Sequence, residues 1–462
     1  MASTRNVSPY WAVGCILAFL HLTLFVRDTQ VIDGFFRADR ASQRFHALQR
    51  VIEAGHENCA AFIASLVRNG IIGDYGLHAA FYSLGGPLAV IAFQVLLGIG
   101  AALCVVYIGW RAFSSKNIAI AAGLLYGMLP QSLAFPHQLL TESIANPFLV
   151  FGTAGLVHAI EFPRPTWKWL LAGLAIGIAA LIRPALMLLP LIAATLLIGL
   201  RGGRAYSGKA AIVAVSGLAP FVLWCMFMLV QVGKFGPGES TQDLGLNFSQ
   251  STAKVLLSEG LAPADGKAPD WLPQRLTLGQ YLGYVISHPK GFANLYFNNI
   301  FVMLTDSGIG RLYVDLLGIG AQERLALQDP SVGWRAELTN HGPLAMLRAG
   351  WRLAPGTILA GVLGALGFAM VNLGALIAYV VLLRGNSLLR NTLGPLQQRW
   401  SLAFLLATPI YVLATSEVVA YAPSRLRSQG EFAWAILACF GWAIVRRWRR
   451  RVVDFRAAAD VA

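Results

Sequence analysis

The sequence has little charge. Only 13% of its 462 residues are Asp, Glu, Lys or Arg, whereas an ordinary soluble protein carries about 25%. The mean hydropathy is +0.60, and apolar runs of about 18 residues or more recur along the chain, each long enough to cross a hydrocarbon core. This composition excludes a soluble enzyme, a coiled coil, a disordered chain and a DNA-binding domain. It predicts a polytopic membrane protein.

Cysteine and the common transport motifs are also scarce. The chain has 5 cysteines, and only Cys59 falls outside an apolar run, so neither a disulfide framework nor a cysteine metal cluster is available. No Gly-x-x-x-x-Gly-Lys-Ser/Thr loop occurs, which leaves an ATP-driven pump unsupported. No internal repeat is visible, which disfavours a transporter built from two inverted halves.

Acidic residues are fewer than basic ones, 22 against 36, giving a net charge of +14. Much of the excess lies in short loops between apolar runs and in the arginine tail at 446–451. Topology selection places basic residues there in membrane proteins. Nucleic acid is therefore not an expected partner, whereas the lipid bilayer is.

We predict an all-α polytopic membrane protein with about ten transmembrane helices, because only internally bonded helices satisfy the backbone in lipid. The predicted spans are 9–27, 86–109, 117–134, 140–160, 168–182, 184–200, 210–231, 356–383, 400–418 and 431–446. The first run has no small-residue cleavage site and is predicted to be a retained span. The Arg183–Pro184 step divides one apolar stretch into two spans, because proline disfavours helix at the residue before it.

Lys and Arg in five loops that follow even-numbered spans predict a cytoplasmic location for those loops and for both termini. The outer side then holds the loops 28–85 and 232–355, in which we expect amphipathic helices lying at the membrane interface. The chain divides into residues 1–231, a transmembrane module with the first outer loop, residues 232–355, a large outer loop, and residues 356–462, the last spans and the basic tail.

Acidic and aromatic residues next to the spans are candidates for function, because polar groups are costly near lipid. Asp39 opens the first amphipathic helix and is either a helix-start carboxylate favoured by the macrodipole or a general base held at the membrane surface. Asp74, Tyr75, His78 and Tyr82 precede the second span. They either line a sugar site or belong to a solvated loop.

Two further groups lie at the outer ends of later spans. His137 and Glu142 stand between the third and fourth spans, and a carboxylate at that depth needs a cation, a metal, a proton or an inter-helix hydrogen bond. Arg183, Arg425 and Arg427 are cations on the side that should be poor in arginine. Their guanidinium groups match phosphate oxygens, and the alternative is anchoring to lipid headgroups.

These groups together predict a cavity that faces outward, with acids on one wall and arginines on another. Sugar transfer from a lipid phosphate requires a carboxylate that deprotonates a hydroxyl and cations that hold the departing phosphate.

Four segments also share patterns with a known family. They are Asp39–Arg40 followed by a helix that ends near Gly55, the third span ending at Pro130 with His137 and Thr141–Glu142 after it, the glycine-rich span that leads to Leu181 and Arg183–Pro184, and Ser424–Arg427 before the last span. In these segments the chain resembles the GT-C membrane glycosyltransferases. The closer similarity is to the bacterial branch that uses polyprenyl-phosphate sugars and is related to protein mannosyltransferases and aminoarabinose transferases.

The resemblance implies inverting transfer of a sugar from a polyprenyl-phosphate donor to a cell-envelope glycan, lipid or protein, at the periplasmic face of the bacterial inner membrane. Asp39 would be the base, and Arg183, Arg425 and Arg427 would bind the donor phosphate. Sugar and acceptor would contact Asp74, Tyr75, His78, Tyr82, His137 and Glu142. If a divalent cation such as Mg²⁺ or Mn²⁺ is used, the plausible ligands are Asp39, Asp74, His137 and Glu142.

Two other functions fit the composition, and so does a purely structural membrane scaffold. A flippase for lipid-linked glycans, or another transporter, would need charged residues near the bilayer midplane and usually internal symmetry. A polysaccharide ligase or polymerase shares the need for arginines and an outer base, but it does not predict the early helix that carries Asp39.

Overall fold

The regular elements of the protein are helices. The computed structural model describes residues 10–24, 43–69, 72–138, 140–199, 204–233, 239–261, 269, 271–305, 348–352, 354–384, 396–415 and 427–459. These residues contain no strand, so the predicted all-α class is confirmed for this part of the chain.

The first 233 residues contain α1 (Tyr10–Leu24), α2 (Gln43–Glu57), α3 (Cys59–Asn69), α4 (Ile72–Phe113), α5 (Lys116–Met128), α6 (Pro130–Ala134), α7 (Glu142–Glu161), α8 (Trp167–Ile182), α9 (Leu189–Gly199) and α10 (Arg204–Val232). They are followed by α11 (Glu239–Ser258), α12 (Leu278–Ser287), α13 (Pro289–Thr305), α14 (Pro355–Arg384), α15 (Leu396–Thr415) and α16 (Glu431–Ala459). Short 3-10 turns cover Phe135–His137, Pro184–Leu186 and Ser428–Gly430.

Glycine and proline interrupt the helices where the sequence predicts. The long helix α4 is broken at Gly85 and Gly86, just before Pro87, and the φ of Gly86 is 63°, a conformation that glycine adopts without steric cost. Helix α8 ends at Ile182 because Arg183, which precedes a proline, is extended with φ −130° and ψ 95°. The predicted break between the fifth and sixth spans is thus confirmed.

Fewer helices than predicted can cross a membrane by their own length and composition. Among the described residues, the helices that pass are Gly76–Phe113, Glu142–Glu161, Tyr206–Gln231, Ile358–Arg384 and Ser428–Arg450. The pair Lys116–Met128 and Pro130–His137, bent by 58°, adds a sixth if it is one span. Tyr10–Leu24, Trp167–Ile182 and Pro184–Gly199 are apolar but shorter. The chain is therefore a multi-pass membrane protein with five or six candidate spans, and the count of ten remains a prediction.

The loops predicted to share one side of the membrane do meet at one end of the helical bundle, here called the basic end. Arg111 at the end of α4 forms an ion pair with Glu161 at the end of α7, with 2.8 Å between Nη1 and Oε1. Nζ of Lys168, in the first turn of α8, lies 3.2 Å from Nε2 of His158 on α7. Helices α4 and α7 therefore end where α8 begins.

Two more contacts bring α15 and α16 to the basic end. The Gln398 amide in the first turn of α15 donates to Oγ of Ser114 at 2.6 Å. Phe440 of α16 stacks on Phe113 at the end of α4, with 4.0 Å between ring centroids. The arginine-rich tail follows Phe440 along α16, so it continues from the same end.

The described parts of the two loops that are predicted to lie on the outer side form helices packed on small cores. Helices α2 and α3, within the first outer loop, bury Val51 and Leu66, which confirms the predicted helical character of residues 43–69. In the second outer loop, α11 to α13 enclose a cluster that includes Phe248, Tyr281 and Phe292. Both loops therefore bring further helices to the transmembrane bundle.

Glycines allow α7, α8 and α10 to approach closely. A Cβ atom placed on Gly173 of α8 would meet Oγ of Ser216 and lie 2.9 Å from the Val213 carbonyl oxygen, both on α10. A Cβ atom on Gly152 of α7 would lie 2.9 Å from the carbonyl oxygen of Ala172. Small residues at such positions are how helices pack inside membranes, where van der Waals contact replaces the hydrophobic effect.

Gly173→Ala is therefore expected to destabilise the protein by about 1–3 kcal/mol, because the added methyl group overpacks the α8–α10 contact. Thermal unfolding of the detergent-solubilised protein measures the loss. Gly208→Ala on α10 is the matched control, since no atom lies within 4 Å of a Cβ at Gly208. Equal melting temperatures for the two variants would contradict this account of the packing.

Candidate functional site

Two buried arginine–glutamate pairs lie at the end of the bundle opposite the basic end. Glu142 opens α7, and its Oε1 lies 2.8 Å from Nη1 of Arg183, the residue that ends α8. Arg427 precedes α16 and Glu431 opens it, and Nε and Nη2 of Arg427 each lie 3.2 Å from Oε1 of Glu431. Glu142, Arg427 and Glu431 are buried and Arg183 is partly exposed, and the buried charges are tolerated because each is paired with an opposite charge.

The guanidinium of Arg183 is held by several partners. Its Nη1 also donates to Oγ1 of Thr141 at 3.0 Å, and the same hydroxyl donates to Oε2 of Glu142 at 3.0 Å. With the Gln429 amide oriented to satisfy its neighbours, its oxygen accepts from Nε of Arg183 at 2.8 Å and from Nη2 at 3.2 Å. The position of this guanidinium is thus fixed by residues from both α7 and the turn before α16.

Arg427 is enclosed more deeply. Its residue surface is 0% exposed, its Nη1 donates to the carbonyl oxygen of Met303 at 2.6 Å, and its guanidinium carbon lies 3.8 Å from the ring centroid of Phe368. A guanidinium over an aromatic face gains a cation–π attraction. Arg427 therefore joins α13, α14 and the start of α16.

The two ion pairs belong to one cluster. Asn146, one helical turn after Glu142, donates from Nδ2 to Oγ of Ser428 at 3.0 Å. Ser428 is the neighbour of both Arg427 and Gln429, and Gln429 accepts from Arg183. The contacts connect residues 282 positions apart in sequence, and they join the start of α7, the end of α8 and the start of α16.

A pocket opens beside this cluster, here called the carboxylate pocket. Its cavity volume is about 20 Å³, and its lining includes His21, Tyr126, Glu142, Asn146, Ser428 and Glu431. Both glutamates of the ion pairs line it, and so does Asn146, whose Oδ1 is buried without a hydrogen-bond partner. The pocket thus presents hydrogen-bond acceptors beside two guanidinium groups.

Both candidate histidines contact this region. Nε2 of His137 lies 3.1 Å from Nδ1 of His21, and the two rings are stacked. Nε2 of His78 lies 2.6 Å from the Gln94 amide, whose oxygen in its satisfied orientation also accepts from Oγ of Ser143 at 3.2 Å. His78 therefore reaches the pocket through Gln94 and Ser143, whereas His137 lies beside His21.

The structure places the remaining predicted site residues as follows. Tyr82 lies half-buried on α4, one turn after His78. Asp74 and Tyr75 belong to the first turns of α4, but their side chains are outside the described part of the chain. Asp39 and Arg425 fall outside the described residues altogether. Glu142, Arg183 and Arg427 are brought together, and the roles assigned to the other residues stay predictions.

No protein-family model matches the chain, and no curated protein matches it either. The resemblance to GT-C glycosyltransferases rests on the sequence patterns around Asp39, Glu142 and Arg183.

The described candidates for metal binding do not fit a divalent cation as they are arranged. The Glu142 carboxylate is already neutralised by Arg183, and a guanidinium at that distance repels a second cation. Within the described residues no group of three or more His, Cys, Asp or Glu side chains is placed to hold an ion. Asp39 and the side chain of Asp74 lie outside that part, and we derive no catalytic step through a cation.

Sequence reasoning missed several members of the cluster. Glu431 carries the same signal as Glu142, an acid that opens an apolar run, and it stands four residues after Arg427, a spacing that pairs side chains on a helix. His21 and Gln94 are polar residues inside apolar runs, which marks them as candidates by their cost in lipid. Gln429 and Asn146 carry no such signal, because their roles depend on contacts distant in sequence.

Proposed function

We propose that this protein is an inverting glycosyltransferase that moves a sugar from a polyprenyl-phosphate donor to a cell-envelope glycan, lipid or protein. The observation that carries the proposal is the carboxylate pocket, which is lined by two glutamates from distant segments, each paired with an arginine that lies behind the pocket lining. In such a site the arginines stabilise the phosphate that leaves. The donor's prenyl chain would lie in the surrounding lipid.

Three arginines are proposed as phosphate ligands, and the structure describes two of them, Arg183 and Arg427. Arg183 is the more accessible of these two to a donor. Its side chain is 15% exposed, while that of Arg427 is 0% exposed. A phosphate bound at Arg183 would share the guanidinium group with Glu142. Hydrogen bonds to Gln429 and Thr141 would keep that guanidinium group oriented. In this proposal Arg427 acts by holding Glu431 and the turn Ser428–Gly430 in place, and Arg425, two residues earlier in the sequence, is a further phosphate ligand.

Asp39 is proposed as the base that takes the proton from the acceptor hydroxyl. Its carboxylate would receive the proton while the acceptor oxygen bonds to the anomeric carbon and the bond from that carbon to the phosphate oxygen breaks. The leaving polyprenyl phosphate carries the displaced electron pair. Attack from the opposite face inverts the configuration of the sugar.

Arg183→Lys tests the phosphate role without leaving Glu142 unpaired. Lysine keeps the positive charge but lacks the planar fork that binds two phosphate oxygens, so we expect affinity for polyprenyl phosphate to fall about tenfold, the effect of one charged hydrogen bond. Binding to the purified protein is measured with a fluorescent short-chain polyprenyl phosphate. Arg384→Lys, at the exposed end of α14, is the control, and equal affinity for both variants counts against the phosphate site.

Activity is tested with the full-length protein reconstituted in liposomes and supplied with a panel of polyprenyl-phosphate sugars. The proposal predicts release of free polyprenyl phosphate from at least one donor in the presence of envelope extract as acceptor. Movement of intact donor between leaflets, with no release, would instead identify a flippase.

A further inference from the structure

We propose that the basic end holds a defined binding site for an anionic phospholipid, between the ends of α4 and α7 and the starts of α8 and α10. This inference is independent of the proposed glycosyltransferase activity. It depends on three cations, Arg111, Lys168 and Lys209, and on the aromatic and apolar side chains around them.

Aromatic rings lie beside the three cations. The guanidinium carbon of Arg111 lies 4.5 Å from the ring centroid of Trp110, and Nζ of Lys168 lies 5.4 Å from that of Phe162. Nζ of Lys209 lies 4.8 Å from the ring centroid of Tyr206 and 5.3 Å from that of Trp169. Aromatic side chains are enriched at membrane interfaces, at the level of lipid headgroups. In this proposal the cations lie at the depth of the lipid phosphates.

The positive charge at this site is only partly balanced. Glu161 pairs with Arg111 and also accepts from the hydroxyl of Tyr107 at 3.2 Å. Nζ of Lys168 contacts Nε2 of His158, and this nitrogen accepts a hydrogen bond only when it carries no proton. Among the described residues Glu161 is paired with Arg111, and no carboxylate is paired with Lys168 or Lys209, which leaves a net positive charge for an anion.

Lys209 remains available to that anion. It lies over aromatic rings, and among the described residues it makes no hydrogen bond or ion pair. Nε of Arg111 is buried, so an anion would contact the exposed part of the Arg111 side chain, which is 26% exposed. A phosphodiester group offers several acceptor oxygens and a negative charge, which suit both cations.

Apolar side chains beside the cations indicate that the anion belongs to a lipid. Phe162, Trp167, Leu170 and Leu171 flank Lys168 along the chain and are all exposed. They offer an apolar surface for acyl chains directly below a basic headgroup site. Basic pockets between transmembrane helices bind anionic lipid headgroups in this way.

The experiment compares lipid retention by the purified full-length protein in native mass spectrometry. The protein in detergent is offered equal amounts of phosphatidylglycerol and phosphatidylcholine. The wild type is expected to retain phosphatidylglycerol preferentially. Lys168→Gln/Lys209→Gln is expected to lower that preference on the order of 20-fold, because each cation at a membrane surface contributes about fivefold to anionic-lipid binding.

Arg275→Gln/Lys290→Gln is the matched control, because both residues are exposed in the second outer loop and the change in net charge is the same. It is expected to retain the wild-type preference. The single variant Lys209→Gln removes no hydrogen bond or ion pair within the described residues, so it tests the site should the double variant fold poorly, with an expected fivefold loss. A preference that survives in the Lys168 and Lys209 variants, or that falls equally in the control, overturns the proposal.

Discussion

Replacing Asp39 with asparagine is expected to lower the rate of sugar transfer by a factor of about 10²–10⁴, the usual contribution of a general base. The amide keeps the size of the carboxylate but does not accept a proton from the acceptor hydroxyl. The protein should still fold and bind donor, because the arginines proposed to hold the phosphate are unchanged. The rate is measured with reconstituted protein, and donor affinity is measured on the same preparation.

Glu53→Gln is the control for this variant, because Glu53 is an exposed acid on α2, 14 residues after Asp39 in the same predicted outer loop. It should leave both the rate and the affinity at wild-type values. Full activity in Asp39→Asn removes Asp39 from the mechanism. Loss of donor binding in that variant would show that Asp39 serves the architecture of the site and not the proton transfer.

Arg183→Gln is expected to cost about 3–5 kcal/mol of stability, the loss seen when one partner of a buried ion pair is removed. The reason is that Glu142, which is 1% exposed, would keep a buried charge without its guanidinium. Thr141 and Gln429 would also lose the donor that orients them. Thermal unfolding in detergent measures the effect, with Arg399→Gln at an exposed position on α15 as the control.

A double-mutant cycle separates the ion pair from general disruption. Glu142→Gln in the Arg183→Gln background removes the unpaired charge, so the double variant should be more stable than the two single losses added together. We expect a coupling energy of about 0.5–3 kcal/mol, the range found for residues in contact. Additive losses would mean that Glu142 and Arg183 do not stabilise each other.

The fold class could be predicted because membrane helices leave strong local signals. Apolar runs predict helices, and the breaks at Gly85–Gly86 and before Pro184 follow from the backbone limits of glycine and proline. The number of spans could not be fixed in the same way. The predicted spans 168–182 and 184–200 correspond to helices that are apolar but short. Whether these two helices cross the membrane depends on their packing against other helices, which composition does not encode.

The site could be predicted only in part, for a similar reason. The cost of Glu142 in an apolar run indicates that it needs a partner, and the structure supplies Arg183, 41 positions later in the sequence. The same argument applies to Glu431, which also opens an apolar run and therefore needs a partner. The hydrogen bonds from Asn146 to Ser428 and from Arg427 to the Met303 carbonyl oxygen join helices that are far apart in sequence. No local sequence pattern predicts them.

Sugar transfer from a lipid-linked donor at the carboxylate pocket is tested by mass spectrometry of lipid-linked sugars and envelope glycans. The measurement compares cells that lack this protein with cells complemented with Asp39→Asn. We expect one polyprenyl-phosphate sugar to accumulate in both strains and the same sugar to be missing from an envelope glycan, lipid or protein. Unchanged pools of lipid-linked sugars together with intact glycans in both strains would show that the protein does not transfer that sugar.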